Sequence, residues 1–229
     1  MSVPQLPFLP LSILEARAEA VLRRALEAGV WNGRWPVPVD AIAEILLGLT
    51  IELGDLTHEF GTLDSVGEGE LLGAIDFGER TIWIDQSLDP DKYSERLSRY
   101  LFTLAHEIAH WILHAALYGA RSSKVRLAAD VLTASIQCRG VGGQSLTASR
   151  RPRVEFQADA WAGFFLMPRA TTVALAQELG ASAGDMSVFV RELARISEAS
   201  PQAARIRIAH LGGAVYGTLK RQPDLFSAA

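Results

Sequence analysis

Apolar residues recur at helical spacing along most of the chain, while three short stretches between residues 50 and 85 read as strands. Leu14, Ala18, Val21, Leu22 and Ala25 mark the buried face of a first helix, Ile13 to Ala28. Ser12-Ile13-Leu14-Glu15 fits a capping box at its start, and Gly29 stops it. A helix of this length is marginal alone in water, so it is expected to dock on the main domain. After a linker from Trp31 to Val39, Asp40 is placed to cap a second helix, Ala41 to Leu47. Strands are expected at Thr50 to Leu53, Leu71 to Phe77 and Thr81 to Asp85, the last two joined as a hairpin by Gly78-Glu79-Arg80. Asp89-Pro90 then opens a long helix that runs to about Tyr118. On it Leu97, Leu101, Leu104, Ile108, Trp111 and Ile112 form a core face roughly opposite His106 and His110, which leaves the histidine face available to a ligand.

The second half begins with the least periodic stretch, residues 120–153. It holds a short helix over Lys124 to Ile136, a Gly/Ser-rich loop from Gly140 to Ser149, and Arg150-Arg151-Pro152-Arg153, read as a solvated basic face. Pro152 opens a helix through Leu166 that Met167-Pro168 ends. Further helices are expected at Ala170 to Leu179, Ser187 to Ile196 and Pro201 to Leu211. Ser200 caps the last of them, and the final pair has the layout of a helix-turn-helix.

Composition narrows the class. The 229 residues are 49% hydrophobic and 21% charged, which is the balance of a globular chain. A net charge of −4 gives no general attraction to nucleic acid or anionic membrane. Cys138 is the single cysteine, so neither an intramolecular disulfide nor a multi-cysteine zinc site is available. The opening residues lack the pattern of a signal peptide, and no stretch approaches the length of an apolar membrane span. A cytoplasmic protein without a membrane partner is expected.

The chemistry lies in Ala105-His106-Glu107-Ile108-Ala109-His110-Trp111. Two histidines one helical turn apart can bind one divalent ion, and Glu107, about 100° further round the helix, can take a proton from a metal-bound water. A zinc site with an open position needs a third protein ligand. The later histidine of the metzincins is missing, because Leu113 and Ala116 occupy the positions that would continue their motif. Glu155-x-x-x-Asp159 supplies an alternative: two carboxylates one turn apart on one face, the first able to bind metal and the second to receive the free N–H of a ligating histidine. The bland reading of that pair is two surface carboxylates on an amphipathic helix. With both segments together the chain reads as a zinc peptidase resembling the thermolysin-like glutamate zincins.

The resemblance is closer than that. Phe102-Thr103-Leu104-Ala105-His106-Glu107-Ile108-Ala109-His110, paired with Glu155-x-x-Ala158-Asp159-x-Trp161-Ala162 and ending in Leu166-Met167-Pro168, resembles the ImmA/IrrE metallopeptidases over roughly Val37 to Pro168. The resemblance implies an α+β fold: a mostly helical zincin-like domain at 36–180, with a small β-sheet before the histidine-bearing helix. A helical extension at 1–35 precedes it, and a helix-turn-helix-like helical subdomain follows at 181–229. It implies Zn2+ held by His106, His110 and Glu155, Glu107 as general base, and Asp159 behind a ligand. It also implies a cytoplasmic endopeptidase whose protein substrate is a helix-turn-helix repressor in a stress-response or mobile-element circuit. The segment between His110 and Glu155 is longer than is usual in that family, and Trp161 replaces a phenylalanine-like residue.

A donor for the oxyanion is unassigned, with His114, Tyr118, Tyr100 and His210 as candidates. His114, one turn beyond His110, reads as a cleft-wall or surface histidine rather than a fourth ligand. Two other classes compete with the enzyme. One is a DNA-binding regulator that uses Pro201 to Leu211, with Arg205 and Arg207 toward phosphate and a structural zinc site; the acidic net charge disfavours it. The other is a protein that holds a repressor without cutting it.

Overall fold

The computed structural model describes residues 8–56, 58, 71–118, 153–179 and 186–215. The helix expected at Lys124 to Ile136 and the Gly/Ser-rich loop from Gly140 lie outside the described residues.

Helix α1, Leu11–Glu27, buries the five residues its spacing marks, Leu14, Ala18, Val21, Leu22 and Ala25. Its start differs from expectation. Pro10 is the N-cap and no side chain caps the helix, so Ser12 lies inside the first turn rather than before it. Gly29, at φ 69°, takes the left-handed conformation that ends it. Helix α2, Val39–Ala41, continues as a π-helical turn over Ile42–Leu46. Pro38, not Asp40, is its N-cap. The Asp40 carboxylate instead accepts the Tyr100 hydroxyl, a tertiary contact that no local pattern encodes.

Strands β1 (Thr50–Gly54), β2 (Gly73–Asp76) and β3 (Thr81–Asp85) form one sheet in the order β1-β3-β2. The hairpin is antiparallel, with Gly73 opposite Ile84, whereas β1 runs parallel to β3 with Thr50 opposite Thr81. Asp76 Oδ1 accepts the Gly78 and Glu79 amides and shapes the turn. Helix α3, Leu97–Tyr118, begins well after Asp89-Pro90. Asp89 accepts the Asp91 amide and pairs with Lys92 at 2.9 Å, so its carboxylate holds local turns in place of a helix start. Short 3-10 turns, Gln86–Leu88 and Ser94–Arg96, fill the interval.

Four helices follow: α4 (Arg153–Leu166), α5 (Arg169–Leu179), α6 (Met186–Ser197) and α7 (Pro201–Leu211). Ser200 Oγ caps α7 by accepting the Ala203 amide, with Pro201 in the first turn, as expected. The main core joins α1, α2, the sheet, α3 and α4; a second cluster joins Met167 with α5, α6 and α7. Trp35 packs against both clusters, and its indole N–H donates to Leu166 O. The architecture is α+β and mostly helical, with the small sheet preceding the histidine-bearing helix. Among the described residues no helix is long and apolar enough to cross a membrane.

Candidate metal centre

The face of α3 opposite its apolar stripe is partly covered by α4, which packs across it, while His106 and Glu107 still line a cleft. His106, Glu107, His110 and His114 are all buried, as is Glu155 on α4. Small residues permit this approach: Ala105 and Ala109 on α3 and Ala158 and Ala162 on α4 are fully buried. The structure thereby brings His106, His110 and Glu155 together, with one potential ligand atom from each inside a 4.8 Å span.

Hydrogen bonding sets the tautomers of the two histidines. His106 Nδ1 lies 3.0 Å from Asp159 Oδ1, so its N–H points at the carboxylate and Nε2 carries the lone pair. For His110 the orienting group is a second imidazole. With Gln157 Oε1 accepting from His114 Nε2 at 3.2 Å, neutral His114 offers a bare Nδ1 to the N–H of His110 Nδ1, 3.1 Å away. His110 Nε2 is left with its lone pair turned inward. Burial drives the pKa of both His110 and His114 down, which keeps both rings neutral.

Two lone pairs therefore face each other, His106 Nε2 and His110 Nε2 at 3.0 Å. Glu155 completes the set, with Oε2 3.1 Å from His106 Nε2 and Oε1 3.4 Å from His110 Nε2. Both carboxylate oxygens are buried and accept no hydrogen bond. A buried cluster of acceptors without donors is costly unless a cation sits among them. Donors about 2 Å from a tetrahedral ion lie roughly 3.3 Å from one another, which the observed spacings match. The residues fit a divalent metal.

Glu107 is buried beside this cluster on the adjacent side of α3. Burial first, then repulsion from Glu155, raises its carboxyl to about 7, against the opposing attraction of His106. The strand β2 passes close to it: a Cβ at Gly73 would stand 2.8 Å from Glu107 Oε1 and 2.7 Å from Thr103 Cγ2. A side chain at this position would force Thr103 or Glu107 to shift, and the backbone angle itself calls for no glycine.

The sequence matches a family model at this point. The model of the IrrE N-terminal-like domain, the M78 peptidases, covers residues 80–209, more than half of the chain. The chain belongs to this family. No curated protein matches it. Membership gives the buried His-His-Glu cluster its context as the metal site of a metallopeptidase-type domain. The matched span of this M78 peptidase runs beyond α4 and through most of α7, so the C-terminal helices fall within the family domain.

Beside the cluster lies a cleft of about 460 Å³, with His106, Glu107 and Asp159 in its lining. Ala203, Ile206, Arg207 and His210 of α7 form the facing wall. Arg207, expected to reach toward phosphate, is instead 2% exposed. Its Nη2 pairs with Glu15 at 2.6 Å, its Nε donates to Met167 O at 2.7 Å, and it stacks over Phe164. A guanidinium so engaged cannot also hold DNA.

Of the proposed oxyanion donors, Tyr100 is occupied by Asp40 and His114 by His110 and Gln157. His114 is thus neither a cleft wall nor a surface residue, because α4 covers it. His210 lines the cleft, and the Tyr118 side chain lies outside the described residues. Sequence reasoning missed Gln157 and Gly73. The four-residue spacing of His110 and His114 was a signal for the histidine pair, whereas the other two roles depend on contacts across the fold.

Proposed function

We propose that this M78 peptidase is a zinc-dependent endopeptidase that cuts a protein partner at a defined site, with a helix-turn-helix transcriptional repressor as substrate. The observation that carries the reading is the buried cluster in which His106 Nε2 and His110 Nε2 meet the unbonded Glu155 carboxylate, beside the Glu107 carboxylate. His106, His110 and Glu155 would hold the zinc, leaving a position for water, and Asp159 would hold the His106 ring in the ligating tautomer. Zinc, when bound, acidifies water and polarises a peptide carbonyl.

Glu107 Oε takes a proton from the attacking water and returns it to the amide nitrogen of the departing strand. A carboxyl raised toward neutrality by burial suits both halves of that exchange. Strand β2 passes beside α3 but is buried along its length, so the cleft rather than the sheet edge is the surface along which an extended substrate would lie. The setting that suits this substrate is the cytoplasm.

The test is incubation of the zinc-loaded protein with a repressor encoded beside it. The expected outcome is one cleavage, abolished by a chelator and by Glu107→Gln. Cleavage that survives either treatment would overturn the reading. An intact repressor held in a stable zinc-loaded complex would instead identify a binding protein.

A further inference from the structure

The cleft has a second chemical character beyond the metal cluster. Its walls are largely apolar, with Leu72, Phe102, Phe156, Phe164 and Ile206 facing the space. Ile206 is 52% exposed on α7, although it is a large apolar residue on the wall of a cleft. Two arginines also line it. Arg207 is engaged by Glu15, Met167 O and Phe164. Arg99 has no hydrogen bond or ion pair among the described residues, and its Nε is buried without an acceptor.

A guanidinium donor buried without a partner costs stability, and a carboxylate is the acceptor that matches its fork. The chain's own carboxylates in the cleft are otherwise placed: Asp159 on His106, and Glu107 at the metal cluster. Arg99 lies on the same stripe of α3 as Thr103, His106 and Glu107, at offsets of four, seven and eight residues. The seven-residue offset is about 10 Å along the helix axis. An extended peptide covers that in about three residues.

We propose that Arg99 anchors a subsite for a substrate carboxylate, about three residues along the peptide from the bond under attack. The cleft then selects a segment that combines bulky apolar side chains with an acidic group. The inference rests on the peptidase reading and deepens it. The carboxylate is either an Asp or Glu side chain or the free end of the peptide, and one experiment separates the two.

Zinc-loaded Glu107→Gln protein is immobilised and challenged with a random peptide library in two forms, free and amidated at the C-terminus. Retained peptides are sequenced by mass spectrometry. With Arg99 present, the expected result is enrichment of carboxylates by roughly tenfold. Arg99→Glu should replace that preference with one for Lys and Arg, and Arg99→Lys should retain it. Enrichment that persists in the amidated library assigns a side-chain acid, whereas loss there assigns the terminal carboxylate. A library composition unchanged by Arg99→Glu, or no carboxylate preference at all, overturns the proposal. Arg99→Gln, which alters charge without reversing it, should abolish the preference and guards against a folding defect in the glutamate variant. Because binding is read with the general base removed, a lack of turnover in the unsubstituted protein would sink the peptidase reading alone.

Discussion

Gly73 leaves the space that the Glu107 carboxylate occupies, so its contribution is to place another residue's atoms. Gly73→Ala should fold and bind metal yet lose activity by about tenfold to a hundredfold, since small misplacements of a reacting group are that costly. Steady-state kinetics with metal content measured in parallel checks this; unchanged kcat would show that Glu107 tolerates the intrusion. Gln157 acts at one remove further, through His114 on His110. Gln157→Leu should weaken metal binding by about ten- to a hundredfold, read by competition with a chromogenic chelator. Protonation adds a third expectation, for the metal-free protein. Glu107 is raised from 4.5 to about 7, so its neutral form contributes stability that is full below 4.5 and lost as the pH rises through 7. His110 and His114, both depressed, act in the opposite direction, because the unfolded chain takes up their protons first as the medium becomes acidic. Glu107→Gln isolates the first effect: its Tm advantage over the unsubstituted protein should grow from about pH 5 to pH 8, and a constant difference would refute the assignment. His106 and His110 were legible because helical spacing puts their side chains on one face, with Glu107 beside them, whereas Glu155, on another helix, was legible through its four-residue spacing to Asp159 and the family resemblance. Gly73, Gln157 and Arg99 were not, since each matters only through packing between elements distant in sequence.

Among the elements, α7 carries the clearest change of meaning. Its capping by Ser200 and Pro201 follows from local chemistry and was readable, but the side chains it directs toward α1 and the α4–α5 junction were not. Arg207 links three parts of the chain through Glu15, Met167 O and Phe164. Arg207→Met removes the charge from a buried pair that retains Glu15, and should cost about 3 kcal/mol, measured as a shift in denaturant midpoint. A loss below about 0.5 kcal/mol would mark the pair as no stronger than a surface bridge. The start of α3 shows why boundaries are harder to read than interiors. Asp89-Pro90 has the composition of a helix start, but the Asp91 amide and Lys92 bond to the Asp89 carboxylate and hold a local turn there instead. The interior of α3 has no such competitor.

For the whole molecule, α1 is part of the main core, because its buried stripe packs on α4, the helix that carries Glu155. Removing residues 1–28 should therefore expose that packing surface and abolish the cooperative thermal transition, which circular dichroism would record. A truncated chain with an intact transition would make α1 an appendage. The parallel pairing of β1 with β3 was likewise illegible, since strand patterns state a period and not a partner. One feature of the architecture extends past catalysis. The two histidines stand on α3 and Glu155 on α4, on opposite sides of residues 119–152. An ion held by all three would cross-link two segments distant in sequence, in a chain whose single cysteine permits no intramolecular disulfide. Its binding energy adds directly to folding, by about 2.7 kcal/mol at a hundredfold excess over Kd. With a metal held as proposed, the free metal concentration would set the stability of the folded protein as well as its activity, and metal starvation would expose the chain to proteolysis.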